Sequence, residues 1–259
     1  MGHARTFWTA AERARAAGGV LVLRNEDLDP DRSQPEFWRA IVEDLAWFGI
    51  GWQEGPDVGG PFSPYAQSER YDSYLEAWRK LLEGGWIYPC TCSRKDLASS
   101  AQAPHEMGDE PLYPGTCRQH KPAQAKPAGA NWRFRVPDGR VIEFEDLHQG
   151  RQRYTAGVDF GDFVVWRRDD VPAYQLAVVV DDAAMQITEV VRGADLLRST
   201  ARQLLIYEAL GFSAPSFYHC DLLTDVEGNR LAKRHDALSL RALRQAGSSP
   251  EQIRESWGK

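Results

Sequence analysis

The residues able to do chemistry in this chain fall into a few short stretches. Cys90-Thr91-Cys92 and Cys117 place three soft donors in a segment rich in Pro and Gly. Three thiolates suit a structural Zn²⁺, which takes four tetrahedral ligands and prefers sulfur. Tyr113, His105 and His120 all stand near enough in sequence to supply the fourth. Cys220 lies far off in an apolar run and reads as a core thiol. Gly2-His3, followed at once by a helix-forming run, puts a small residue and an imidazole where unpaired backbone N–H groups and the helix dipole favour a phosphate. Glu26 and Asp27 follow the apolar run 20–23, and acids at the end of such a strand sit where open α/β sheets bind ligands. Arg192 closes another apolar run just before a helix, a position from which a guanidinium can hold a carboxylate bidentately. Arg230-Leu231-Ala232-Lys233-Arg234 brings three cations into five residues. That density suits a solvated face, and it also suits the charge that builds on phosphates during nucleotidyl transfer.

The elements that must position these groups can be read from periodicity. Residues 4–17 predict a helix stopped by Gly18-Gly19. The run 20–23 predicts a strand buried on both faces. Ser33-Gln34-Pro35-Glu36 predicts a capping box and a helix to about Phe48, with Phe37, Ile41, Leu45 and Phe48 on one face. Residues 67–83 predict a second amphipathic helix through Tyr71, Tyr74, Leu75, Trp78 and Leu82. Strands are expected at 132–136, 141–144, 163–167, 187–191 and 217–223, and a helix at 195–210. Residues 173–180 fit either a helix or a strand, and two short helices are expected near 239–246 and 250–256. The pattern predicts an α/β fold of doubly wound type whose opening strand is missing, because the chain starts inside a helix. Three regions follow: 1–86 as the first half of the doubly wound domain, 87–168 as an insertion that carries all but one of the cysteines, and 169–259 as the second half of that domain.

Composition narrows the classes. The 259 residues, 42% hydrophobic and 26% charged, suffice for one large domain or two modest ones. No apolar run approaches the length of a membrane span, and no basic-then-apolar leader opens the chain. A net charge of −6 disfavours overall attraction to nucleic acid, so an RNA contact must come from a local basic patch. Cysteine usage suits a reducing compartment, and a cytoplasmic location is expected.

Taken in order, these stretches resemble the class I glutamyl-tRNA synthetase family over nearly the whole chain. Gly2-His3-Ala4-Arg5-Thr6 resembles the end of its HIGH signature, and Arg24-Asn25-Glu26-Asp27-Leu28-Asp29 its Arg-x-Glu-Asp-x-Asp stretch. The segment from Tyr174 to Asp182 resembles its Tyr-x-Leu-Ala-x-Val-Val-Asp-Asp segment, and Val191 to Asp195 its Val-x-Arg-Gly-x-Asp segment. Arg230 to Arg234 resembles KMSKS, without a hydroxyl but with the later lysine. The resemblance implies a Rossmann-like class I aminoacyl-tRNA synthetase catalytic domain with a zinc-binding insertion. It implies that Glu26 binds the amino group of L-glutamate, and that Tyr174 and Arg192 complete the amino-acid pocket. Gly2 and His3 would contact ATP, and Lys233 would stabilise the departing pyrophosphate; Mg²⁺ is expected with ATP. Only about 25 residues follow Arg234. This length resembles a short paralogue in the family, which attaches glutamate to the queuosine base of tRNA(Asp). The Cys-x-Cys, Tyr-x-x-x-Cys pattern of that paralogue selects Tyr113 to join Cys90, Cys92 and Cys117 as zinc ligands. A monomer with no membrane association is expected. Two other readings stay open: the catalytic half of a tRNA(Glu)-charging enzyme, and an inactive zinc-stabilised RNA-binding module. Asn25 stands where the family carries an aliphatic residue.

Overall fold

The computed structural model describes residues 2–29, 33–93, 112–121, 126–222 and 239–258. The first helix, α1 (Gly2–Ala16), stops where Gly18 takes a φ of 61° and its N–H returns to Arg15. An extended segment follows but forms only single bridges. Val22 pairs in parallel with Glu54, and Asn25 with Ala66. Only Leu23 of the run 20–23 is buried, and Val20 is exposed, so the expected strand buried on both faces is instead one wall of a cleft.

Helix α2 (Pro35–Trp47) starts one residue later than the predicted cap. Gln34, not Ser33, is its N-cap, its side chain making no capping hydrogen bond to the first turn, and Pro35 supplies the preset φ of that turn. Leu45 and Phe48 enter the core, whereas Phe37 and Ile41 on the same face open onto the cleft. A short 3₁₀ turn, Gln67–Glu69, leads into α3 (Tyr71–Glu83), whose buried face is Tyr74, Ala77, Trp78 and Leu81.

Next come β1 (Ile87–Cys90), β2 (Asn131–Phe134), β3 (Val141–Asp146), β4 (Gly150–Thr155) and β5 (Phe163–Trp166). Helix α4 (Tyr174–Ala184), β6 (Glu189–Gly193), α5 (Leu197–Leu210), β7 (Ser216–Cys220), α6 (Leu240–Gln245) and α7 (Pro250–Glu255) complete the order. The ambiguous stretch 173–180 is therefore helical. Seven consecutive α4 residues, from Leu176 to Asp182, are buried, and burial on every side erases the polar stripe that marks a helix.

The strands form two sheets. β1, β2 and β5 make an antiparallel three-stranded sheet beside the cysteines. The other runs β4-β3-β7-β6, with β6 and β7 parallel and joined through the crossover helix α5. The β3–β4 hairpin falls within residues 87–168, yet it pairs with β7 through Asp146 and Phe217. The larger core packs α3, α4 and α5 between the sheets, with Trp78 edge-on to Trp132 at 4.8 Å. A second cluster joins α1, α2 and α7: Ala11, Leu45, Phe48 and Ile253 are buried, with Trp8 and Trp257 against them.

Candidate active site

A cleft of about 1760 Å³ is lined by the extended segment 21–25, α1, β6 and the start of α4. Glu26, Tyr174, Asp182 and Arg192 all line it. Tyr174 stands in the first turn of α4, and Arg192 near the end of β6.

Arg192 is buried, and its guanidinium is held from several elements. Its Nε donates to Nε2 of His219 on β7 at 3.1 Å. Its Nη2 donates to Thr200 Oγ1 at 2.6 Å and Gln203 Oε1 at 2.7 Å, both on α5. Its Nη1 reaches the Tyr174 hydroxyl at 3.4 Å. The face of Phe217 lies 5.4 Å from the guanidinium carbon. Four of the five N–H bonds are thus directed at protein acceptors, three of them at buried groups on α5 and β7. Nη1 is the nitrogen turned toward Tyr174, which lines the cleft with Arg192.

Glu26 lines the same cleft, half-exposed, and one of its carboxylate oxygens accepts from Arg24 Nη2 at 2.9 Å. Arg24 in turn is fixed by the paired acids that end the apolar run of α4. Its Nη1 donates to Asp182 Oδ1 at 2.7 Å, and its Nε lies 3.7 Å from Asp181 Oδ2. Burial pulls the Arg24 guanidinium toward neutrality, but Asp182, Glu26 and Asp181 outweigh it and hold the pKa well above the ordinary value. Asp181, fully buried, accepts from Arg70 Nε at 2.6 Å, Gln67 Nε2 at 2.8 Å and the Tyr74 hydroxyl at 3.0 Å. Two cations and two anions therefore close a neutral buried lattice beneath the cleft. Asn25 has its own place here. Its amide donates to Asp27 Oδ2 at 3.1 Å, and Asp27 caps Ser68 N–H at 2.8 Å, which ties the segment to the turn before α3.

The cysteines also meet. The donor atoms of Cys90, Cys92 and Cys117 lie within 4.8 Å of one another. The Tyr113 oxygen is 3.4 Å from Cys90 Sγ and 3.6 Å from Cys92 Sγ, and the two sulfurs of Cys92 and Cys117 are 3.5 Å apart. A tetrahedral zinc with bonds of about 2.0–2.3 Å sets its ligand atoms roughly 3.5–3.8 Å apart, close to these three separations, so the three thiols could hold one ion with the Tyr113 oxygen beside it. Burial raises the Cys117 thiol, but hydrogen bonds from Tyr113, the Thr91 backbone and the other two cysteines bring it down to about 6, the direction a metal ligand needs. Burial carries Cys92 up to about 11. Arg133 supplies compensating charge: its Nε donates to Cys90 Sγ at 3.4 Å, and its guanidinium lies 3.9 Å over the Tyr113 ring. His120 joins no cluster of potential metal donors among the described residues, and His105 lies outside them. Cys220 is buried at the end of β7.

Gly2 and His3 fall in the first turn of α1, whose next residues, Thr6 and Phe7, border the cleft. The His3 side chain and the loop bearing Lys233 lie outside the described residues. Sequence reasoning missed His219, Asp146, Thr200 and Gln203. His219 stands two positions past the hydrophobic Phe217 on the same strand, a weak signal, and the other three carry none.

A Rossmann-type β-α-β unit with an acid and a guanidinium facing one cleft, beside a cluster of thiols, defines a recognisable class. Residues 1–257 match tRNA synthetases class I (E and Q), catalytic domain, and the chain belongs to that family. Within it, the chain is 50% identical to a glutamyl-Q tRNA(Asp) synthetase of Symbiobacterium thermophilum, over 98% of this chain and 80% of that protein. It is 44% identical to glutamate–tRNA ligase 1 of Halorhodospira halophila, over 97% of this chain but 54% of the ligase. The crystal structure of a glutamate-tRNA synthetase from Elizabethkingia anophelis superposes with a TM-score of 0.78 at 32% identity, covering 90% of this chain and 50% of that one. The chain thus spans about half the length of that solved relative.

Proposed function

We propose that this chain activates L-glutamate with ATP and transfers the glutamyl group to the queuosine base of tRNA(Asp). The observation that carries this reading is that Glu26, Arg192 and Tyr174 line one cleft. An amino acid with an extra carboxylate needs an anion for its ammonium group and a fixed cation for a carboxylate. The relatives supply the identity of that amino acid, and the 50% match extends over 80% of a protein that bears the glutamyl-Q name.

In the first step a glutamate carboxylate oxygen attacks the α-phosphorus of ATP, and pyrophosphate leaves. In the second, a queuosine hydroxyl attacks the activated carbonyl, and AMP leaves. Glu26, itself held by Arg24, binds the ammonium group; Arg192 Nη1 and the Tyr174 hydroxyl take a carboxylate. Gly2 and His3 at the start of α1 serve the ATP phosphates, and Lys233 the developing charge on pyrophosphate, with Mg²⁺ entering on ATP. Cys90, Cys92, Cys117 and Tyr113 would hold Zn²⁺, which when bound orders the insertion. No helix among the described residues is long and apolar enough to cross a membrane. The reading takes the chain to act in the cytoplasm as a monomer.

The test is glutamate-dependent ATP–pyrophosphate exchange without RNA, followed by transfer of labelled glutamate to tRNA(Asp) with and without queuosine. Arg192→Ala is expected to abolish exchange; wild-type rates in that variant would remove Arg192 from the pocket. Charging of tRNA(Glu) in place of queuosine-bearing tRNA(Asp) would favour the second reading, a tRNA(Glu)-charging enzyme, which the 44% identity to a glutamate–tRNA ligase supports.

A further inference from the structure

Arg192 sits among more partners than a substrate-binding arginine requires. His219 is fully buried, with its Nδ1 2.5 Å from Asp146 Oδ2 and its Nε2 3.1 Å from Arg192 Nε. A guanidinium only donates, so Nε2 must accept, and the ring proton must sit on Nδ1, where the Asp146 carboxylate receives it. Asp146 ends β3 and is itself fixed: its Oδ1 accepts the backbone N–H groups of His148 at 3.0 Å and Gln149 at 2.8 Å. On the other side, Gln203 is oriented by its own amide. Its Nε2 donates to Gln175 Oε1 at 2.9 Å, and Gln175 Nε2 donates to Ser199 Oγ at 3.1 Å, which turns the Gln203 oxygen toward Arg192. Burial favours the neutral imidazole, in agreement with the tautomer that the hydrogen bonds require.

We propose that Asp146 and His219 are positioning residues for the glutamate pocket: they hold the guanidinium of Arg192 edge-on, so that Nη1 alone meets the substrate carboxylate beside Tyr174. This rests on the reading of the cleft as that pocket. The guanidinium is rigid before substrate arrives, and binding spends nothing on ordering a long side chain. Selection then depends on where Nη1 points. His219, which never touches substrate, sets that direction.

The experiment measures KM for glutamate and for ATP by pyrophosphate exchange in the wild type and in Arg192→Ala, His219→Leu, His219→Gln and Thr200→Val. A charge-assisted hydrogen bond lost at a buried site corresponds to about tenfold in affinity. His219→Leu is therefore expected to raise the glutamate KM by about tenfold, with the ATP KM unchanged. His219→Gln, whose amide oxygen can again accept from Arg192 Nε, should recover much of the loss. Thr200→Val, nearly isosteric, removes one Nη2 acceptor and should move the glutamate KM in the same direction should His219→Leu fail to fold. A glutamate KM within twofold of the wild type in both His219→Leu and Thr200→Val would overturn the positioning role. So would a parallel rise in both KM values, the signature of a merely loosened fold. If Arg192→Ala retains the wild-type glutamate KM, the pocket assignment itself falls, and the positioning role falls with it.

Discussion

Replacing Asp182 with Asn tests the buried charge lattice under the cleft. Asp182 is 7% exposed and takes Arg24 Nη1 at 2.7 Å and the Tyr207 hydroxyl at 3.3 Å. The substitution keeps the shape and one acceptor but removes a charge, which leaves Arg24 and Arg70 facing Asp181 as the one deeply buried anion in contact with them. Losing one partner of a buried pair costs roughly 3–5 kcal/mol, and the retained amide oxygen places this case near about 3 kcal/mol. For a domain of this size, that lowers Tm by roughly 6–12 °C. Urea unfolding followed by tryptophan fluorescence gives the free energy, and scanning calorimetry gives Tm. Because Arg24 also holds Glu26, the glutamate KM should rise while the ATP KM stays. Adding Arg24→Met removes the stranded cation, so the double variant should be more stable than the sum of the two single losses predicts. An Asp182→Asn protein within about 0.5 kcal/mol of wild type, the range of an ordinary surface change, would refute the lattice as a stabilising unit. Strict additivity in the double variant would do the same.

Cys90→Ser should lower zinc content and Tm together, and a chelator should reproduce the loss in the wild type; a metal-free protein of unchanged Tm would dispose of the zinc centre. Acid should destabilise the protein in two stages. The buried His219 titrates below its ordinary 6.5, chiefly through desolvation, so folded molecules bind fewer protons than unfolded ones and stability falls once pH drops below 6.5. Asp146 titrates below its ordinary 3.8, since the hydrogen bonds from His219 and the backbone outweigh its desolvation, and its contribution is lost as pH falls below that value. Unfolding free energies measured across pH 3–8 should show both declines, and His219→Leu should flatten the upper one.

The parts of the site that were legible in the sequence are those in which spacing along the chain substitutes for distance. Cys90 and Cys92 are two apart, and Arg24 and Glu26 likewise, so local geometry alone places them near one another. Arg192 could be read because an arginine that ends an apolar run before a helix has few places to go. Its supports could not. His219 and Asp146 are 73 residues apart and meet only because β3 lies beside β7, and no local pattern announces a strand inserted from so far away. Helix α4 was unreadable for a different reason: it is buried on all sides, and the contrast between faces that identifies a helix vanishes. The misplaced cap at α2 follows from Pro35, whose fixed φ starts the helix without help from Ser33.

The second core cluster bears on how the chain acquires its fold during synthesis. Phe48 is wholly buried, yet part of its cover is Trp257, at 5.6 Å between rings, while Arg254 lies 4.3 Å over the ring of Trp8. Arg241 reaches back to Glu43 at 2.9 Å, across 198 residues. The aromatic faces of α1 and α2 therefore remain open until residues 240–257 have left the ribosome. Local helices can form earlier, but loop closure over such a span must precede the contacts that reward it. The amino-terminal third is thus a client of the carboxyl-terminal helices. Nascent chains halted before residue 240 should expose tryptophan to solvent and to chaperones, whereas release of the next eighteen residues closes the cluster in one cooperative step.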